Sequence, residues 1–283
     1  MYSESSVRHA ISCWRGYNLN ILHIGDMAGV GAILSNICTE LGHPSMVVQE
    51  KTINTFNHGE FYGNTNFLNS KEEIEEFVIK GKSYFDHIIY HDRFELALKL
   101  DHLHIPSSYM FHGNMLRQQK DLAEIVSDLE SIDNTFVTTE DLLKYSPESE
   151  LLNRPIDMDL FKPMSLKKKA LALCLTQERF KTDILYLMRK HEPEIGMFIV
   201  DRIKSVTPYQ DMPRFLSSFK YYIDLKFQPS HPPYLIPELS MTGLQSLACG
   251  IPVFGGDLKW HYTLSPSNYD ENSAIEFIRV LQE

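Results

Sequence analysis

Short apolar runs alternate along the chain with stretches whose apolar residues recur three and four positions apart, the mark of strands alternating with amphipathic helices. Asn20-Ile-Leu-His-Ile24 stops at Gly25-Asp26 and gives way to Ile33, Leu34, Ile37 and Leu41, after which Met46-Val-Val48 is extended again. Strand, glycine turn, helix and strand make a βαβ unit, which predicts a parallel sheet with helices on its faces. Ser70-Lys-Glu-Glu73 has capping-box form and opens a helix through Phe77 and Ile79. Phe85-Asp-His-Ile-Ile-Tyr90 and Tyr109-Met-Phe111 read as further buried strands, the second ending at His112-Gly113. A helix over about 121–132 and a short strand, Thr135-Phe-Val-Thr138, follow.

The pattern then breaks. Tyr145-Ser-Pro-Glu-Ser and Asn153-Arg-Pro-Ile-Asp-Met-Asp-Leu-Phe-Lys-Pro163 carry prolines without periodicity, so a boundary is expected here between a domain of residues 1–154 and one of residues 155–283. The second half resumes with Ala170-Leu-Ala-Leu-Cys-Leu175, a helix over about 182–190, Met197-Phe-Ile-Val200, a short helix at Met212-Pro-Arg-Phe-Leu and a strand at Tyr221-Tyr-Ile-Asp-Leu225. Gly243-Leu-Gln-Ser-Leu-Ala-Cys-Gly250 is a helix closed by glycine. Both halves are expected to be α/β and doubly wound.

Composition narrows the function classes. A chain of 283 residues, 43% apolar and 23% charged, belongs with ordinary globular proteins and has room for two domains. Its longest apolar runs fall far short of a membrane span, and the first eighteen residues lack the continuous apolar stretch of a secretory signal, so a cytoplasmic protein is expected. Cys13, Cys38, Cys174 and Cys249 are widely spaced and read as small buried apolar residues. Residues 1–154 hold 12 basic and 22 acidic side chains, whereas residues 155–283 hold 15 of each. An acidic first half disfavours nucleic acid as a partner, while the basic cluster of the second half, Lys167, Lys168, Lys169, Arg179, Lys181, Arg189 and Lys190, is either an ordinary solvated helix face or a place to hold an anion.

Three places carry candidate chemistry. The turn from Gly25 to Gly31, containing Gly29-Val-Gly31, is either a plain tight turn or a phosphate cradle at a helix start; its spacing departs from the dinucleotide fingerprint. His112 stands at the carboxyl end of a strand, where it is either structural or a ligand contact. His87 with His91, and His102 with His104, form pairs without a third metal ligand at sensible spacing, so no metal is expected. In Pro237-Glu-Leu-Ser-Met-Thr-Gly-Leu-Gln, a carboxylate precedes a small-residue turn that opens a helix. Glu238 suits hydroxyl groups there, and the amides near Ser240, Thr242 and Gly243 suit phosphate oxygens; the alternative is an ordinary capped junction.

Taken in order, Ile21-Leu-His-Ile-Gly25, Leu41-Gly-His43, Phe85-Asp-His-Ile-Ile, His112-Gly113, Pro155-Ile-Asp-Met-Asp-Leu-Phe-Lys-Pro163 and Gly243-Leu-Gln-Ser-Leu-Ala-Cys-Gly-Ile-Pro-Val253 resemble the retaining glycosyltransferases of GT-B fold, in their glycogen-synthase-like and mannosyltransferase-like group. The resemblance implies two Rossmann-like domains facing a cleft, with the acceptor mainly in the first and a nucleotide-sugar donor mainly in the second. It implies that the Gly29 and Gly31 loop faces the donor, that His112 contacts the donor sugar, that Lys181 grips the diphosphate with help from Arg179, and that Glu238 touches the sugar. No metal and no cofactor beyond the donor are implied. Three departures stand out: Gln245 replaces a glutamate that meets the ribose and lies seven rather than eight positions after Glu238, Leu175-Thr-Gln-Glu-Arg replaces Gly-Arg before the lysine, and the chain is short for the family. Transfer of a sugar to an unidentified acceptor hydroxyl with retained configuration is the expectation. A weakly active or non-catalytic nucleotide-sugar-binding scaffold is the alternative, and an epimerase or a DNA glucosyltransferase of the same architecture is less favoured.

Overall fold

A computed structural model describes residues 18–26, 28–51, 58–119, 121–176, 180–201, 207–228 and 234–264. Its first half runs β1 (Ile21–Ile24), α1 (Val30–Glu40), β2 (Ser45–Glu50), α2 (His58–Tyr62), β3 (Thr65–Leu68), α3 (Lys71–Gly81), β4 (His87–His91), α4 (Phe94–Leu100), β5 (Ser107–Phe111), α5 (Asn114–Gln118), α6 (Leu122–Ser127), β6 (Ile132–Val137) and β7 (Glu150–Leu151). These seven strands lie in the order β3-β2-β1-β4-β5-β6-β7, with every pairing parallel. The order reverses direction between β1 and β4, which makes the sheet doubly wound with its switch point there.

Local sequence explains most boundaries. β1, β4 and β5 are buried at every position, as strands covered on both faces must be. α3 starts where Ser70 Oγ accepts the Glu73 N–H at 3.3 Å and Glu73 reaches back to the Asn69 N–H at 2.9 Å. The helix expected over about 121–132 is shorter, ending at Ser127, because Asp101 takes the Ser131 N–H at 2.8 Å and Ile132 is already paired with Ser107 in the sheet. α2, β3 and α4 have no counterpart in the hydrophobic pattern as read.

The second half contains β8 (Lys169–Thr176), α7 (Lys181–His191), β9 (Met197–Asp201), α8 (Met212–Ser217), β10 (Phe219–Ile223), β11 (Lys226–Gln228), β12 (Tyr234–Ile236), α9 (Met241–Ala248), β13 (Val253–Phe254) and β14 (Trp260–His261). Its sheet has the order β14-β13-β10-β8-β9, parallel except for β14, and β11 and β12 form a separate antiparallel pair. The protein is therefore α/β with two doubly wound, Rossmann-like sheets, and the chain passes from one to the other through residues 152–168, which form no strand or helix.

One apolar cluster belongs to both sheets. It joins Ile21, Leu34 and Met110 of the first half to Leu244 and Leu247 of the second through Ile156 and Phe161 of the crossing segment. Phe161 is fully buried, its ring 5.4 Å from that of Tyr209. Tyr62 ties the halves further, donating to Asp157 Oδ2 at 2.9 Å and lying 3.2 Å from the Tyr209 hydroxyl. Cys38, Cys174 and Cys249 are buried and unpaired, and Cys13 lies outside the described residues. Among the described residues no helix is long and apolar enough to cross a membrane.

Replacing Phe161 with alanine removes the ring on which both halves pack, and about 3–5 kcal/mol of stability should go with it. The urea unfolding midpoint followed by circular dichroism should fall accordingly; an unchanged midpoint would show that the shared cluster does not hold the halves together.

Candidate functional site

Parallel strands end at a common edge, and in doubly wound sheets ligands bind outside that edge at the switch point. In the first sheet the edge carries Gly25-Asp26 after β1, Asp92-Arg93 after β4, His112-Gly113 after β5 and Thr138 to Asp141 after β6. In the second it carries Thr176 at the end of β8, Asp224 after β10 and Gly255 after β13.

The two edges meet around Arg154. From the crossing segment its Nη2 donates to the Leu239 carbonyl at 2.5 Å, in the turn before α9. The guanidinium is withdrawn from water, which lowers its pKa to about 10, although Asp224, Glu238 and Asp141 oppose the shift. Arg117 forks onto Asp141, Nε to Oδ2 at 2.8 Å and Nη2 to Oδ1 at 2.9 Å. The half-buried Glu238 faces this pair; burial and then the Asp141 charge raise its pKa, and its Oε2 has no hydrogen-bond partner. His112 comes to the same place from the first sheet. Its backbone N–H is donated to Asp92 Oδ1 at 3.0 Å, and burial, helped by the Arg154 charge, lowers the imidazole pKa to about 3.

Both helix starts named in the sequence reading already hold a carboxylate of the chain itself. Gly29 caps α1 with a φ of 86°, and Gly31 fits only without a side chain, since a Cβ would lie 2.7 Å from the Gly25 carbonyl oxygen. Beyond this turn Asp26 Oδ1 accepts the Ala32 N–H at 3.1 Å, while burial raises the Asp26 pKa to about 6. At α9, Asp224 accepts the Ser240 N–H and crowds Gly243, and Ser240 Oγ accepts the Gly243 N–H at 3.0 Å. Thr242, partly exposed, stands between them.

The remaining candidates are placed apart. Gln245 is 3% exposed and hydrogen-bonds to Tyr209, so its amide is engaged within the second half. Lys181 is the exposed first residue of α7, after the edge of the second sheet, and Arg179 lies outside the described residues. His87 bonds to Ser108 Oγ at 2.8 Å rather than converging with His91, and no group able to hold a metal occurs among the described residues. The structure thus brings His112 and Glu238 together and adds Arg154, Arg117 with Asp141, Asp92 and Asp224. Arg154 directly precedes the Pro155 to Pro163 stretch, which the sequence marks as a boundary and as part of the resemblance without giving the arginine a role; an arginine in a crossing loop between two α/β halves is the available signal.

No protein-family model matches the sequence, and no curated protein does. Solved structures with overall likeness include glycosyltransferases. SsfS6 from Streptomyces sp. SF2575 is 11% identical, with 94% of this chain and 86% of that one covered at a TM-score of 0.44. SnogD from Streptomyces nogalater is 11% identical, covering 84% and 81% at 0.44. The spinosyn rhamnosyltransferase SpnG, bound to spinosyn aglycone, is 9% identical, covering 83% and 79% at 0.47. The architecture stated above rests on the strand orders of this chain, not on these scores.

Burial raises the Asp92 pKa from 3.8 to about 7, so between those values the folded protein holds a proton that the unfolded chain releases. Stability contributed by this proton is lost as pH rises through 7. Asp92→Asn keeps the acceptor for the His112 N–H and removes the titration. Its stability relative to the parent should therefore rise by up to a few kcal/mol between pH 4 and 8 in urea titrations, each pKa unit being about 1.4 kcal/mol. A pH-independent difference would refute this.

Proposed function

We propose that the protein is a glycosyltransferase of GT-B type that moves a sugar from a nucleoside-diphosphate sugar to an acceptor hydroxyl. The observation that carries this reading is the meeting of His112, Glu238 and Arg154 where the carboxyl edges of two Rossmann-like sheets face each other. Fold-level likeness supports no step of it.

In this reading the donor lies between the edges. Lys181 at the start of α7, with Arg179, meets the diphosphate, and Arg154 adds a fixed positive charge on the side of the crossing segment. Such charges act most strongly where water is excluded and where negative charge grows on the departing phosphate. Glu238 offers its unpartnered Oε2 to a sugar hydroxyl, and His112 offers a neutral ring nitrogen. Retention follows from the sequence resemblance, with the departing diphosphate accepting the acceptor's proton on the face it leaves. Thr242 and the Gly29 to Gly31 turn border the donor, and no cofactor or metal takes part. The acidic first half favours a soluble, neutral acceptor in the cytoplasm.

One set of contacts favours the scaffold alternative. Asp26 and Asp224 occupy the two helix starts that would otherwise bind phosphate, and Gln245 is engaged by Tyr209. A protein built this way would hold a nucleotide sugar through its side chains, without the helix-start amides that stabilise a departing phosphate.

Thermal unfolding with UDP, GDP, ADP and their sugar conjugates separates the readings. A ligand at 100 times its dissociation constant should stabilise the protein by about 2.7 kcal/mol. Lys181→Ala should weaken that ligand about 10- to 100-fold, the worth of a charge-assisted hydrogen bond. With donor and acceptor in hand, His112→Ala should lower kcat on the order of a hundredfold, and the product anomer read by proton NMR should match the donor's. Binding without turnover would select the scaffold, and no binding by any nucleotide would end both readings.

A further inference from the structure

Three histidines, His23, His87 and His91, occupy buried strands of the first sheet, where parallel strands ordinarily carry valine and isoleucine. His23 and His91 form a row with His112, which follows β5. His23 in β1 is level with Ile89, and His91 in β4 is level with Met110, so His23, His91 and His112 share one face, each two residues nearer the carboxyl edge. His23 Nδ1 is 3.0 Å from His91 Nε2, and His91 Nδ1 is 3.0 Å from His112 Nε2. The rings stack at 5.3 Å with planes 26° and 24° apart. The row crosses the switch point between β1 and β4 and ends where the two carboxyl edges meet. Its inner end, His23 Nε2, is buried without a partner.

Such a row has few degrees of freedom. A neutral imidazole has one N–H and one lone pair, so each ring that donates on one side must accept on the other. All three rings are neutral, because burial and their mutual proximity hold their pKa values below the usual range. Only two arrangements satisfy both N···N contacts. In one, every ring is protonated at Nε2, His112 donates inward to His91, and the His112 Nδ1 lone pair is left for the cleft. In the other, every ring is protonated at Nδ1 and an N–H is left for the cleft. Arg154 favours the first, since a cation beside His112 attracts a lone pair and repels an N–H, although this arrangement leaves the buried His23 Nε2–H without an acceptor.

We propose that His91 and His23 are positioning residues that hold His112 as its Nε2–H tautomer, so that its Nδ1 lone pair accepts a hydrogen bond from a substrate hydroxyl. This rests on the reading above in one respect only, that His112 touches substrate. The row explains why polar rings stand where apolar side chains would be less costly to bury: a lone imidazole beside water would exchange between tautomers, and this one does not.

Nitrogen-15 NMR of the histidine-labelled protein tests the tautomer without any substrate. In the parent protein the His112 Nδ1 signal should be that of an unprotonated nitrogen, with Nε2 protonated, throughout pH 6–8. His91→Phe should release it, giving averaged signals for both nitrogens, while His91→Asn, whose Oδ1 stands close to the position of Nδ1, should restore the single tautomer. If His91→Phe does not fold, His23→Phe gives a weaker version of the same release. A proton on His112 Nδ1 in the parent, or a His112 tautomer indifferent to these substitutions, would overturn the proposal. Once a substrate is known, His91→Phe should lower kcat with little change in the donor's KM. A fixed tautomer in a protein with no transferase activity would sink the functional reading and leave this one standing.

Discussion

A guanidinium largely withdrawn from water must be answered by oxygen atoms, and the part-buried Arg154 sets that demand where the two sheets meet. Its charge is met by the Leu239 carbonyl and by the fields of Asp224, Glu238 and Asp141, which belong to both halves. Removing the acceptors would leave a buried charge unpaired, a far larger penalty than a lost surface contact. The turn from Glu238 to Ser240 is consequently fixed from the first half as well as from its own sheet. His112 stays neutral first because it is buried, and then because the nearby cation makes a second positive charge unfavourable.

Several polar groups around this centre are satisfied by side chains of the protein itself. Asp26 serves α1, Asp224 and Ser240 serve α9, Asp92 serves the backbone after β5, and Asp141 serves Arg117. The few atoms left over are informative. Glu238 Oε2 and Asp92 Oδ2 are buried or nearly so without partners, and both belong to side chains whose pKa is raised by burial. A site with most of its donors already used selects ligands through a small number of remaining contacts.

The sequence made the architecture readable because parallel strands covered on both faces are short apolar runs, and Ile21–Ile24, His87–His91 and Ser107–Phe111 are such runs even with histidine among them. Short helices such as α2 and α4 were not readable, because one or two turns give too few repeats for a period to emerge. Of the site, His112 and Glu238 were legible from their places at a strand end and a helix start. Gln245 was legible as a residue but not as a neighbour of Tyr209, thirty-six positions earlier, for long-range pairing leaves no mark in local spacing. The histidine row was hidden for a related reason. Its members are 68 and 21 residues apart, and only the strand register aligns them.

The apolar cluster shared between the sheets has a consequence for how the protein is made. Leu34 and Leu247 belong to the same cluster, yet the ribosome delivers them more than two hundred residues apart. At roughly 5–20 residues per second, the first half waits on the order of ten to forty seconds for its packing partners. During that interval Ile21, Leu34 and Met110 belong to an incomplete core, although the seven-stranded sheet around them can already be formed. Nascent chains halted before α9 would therefore be the sticky species in the cell, and a chaperone acting on this protein would find its hold on the unfinished seam rather than on an unfolded strand.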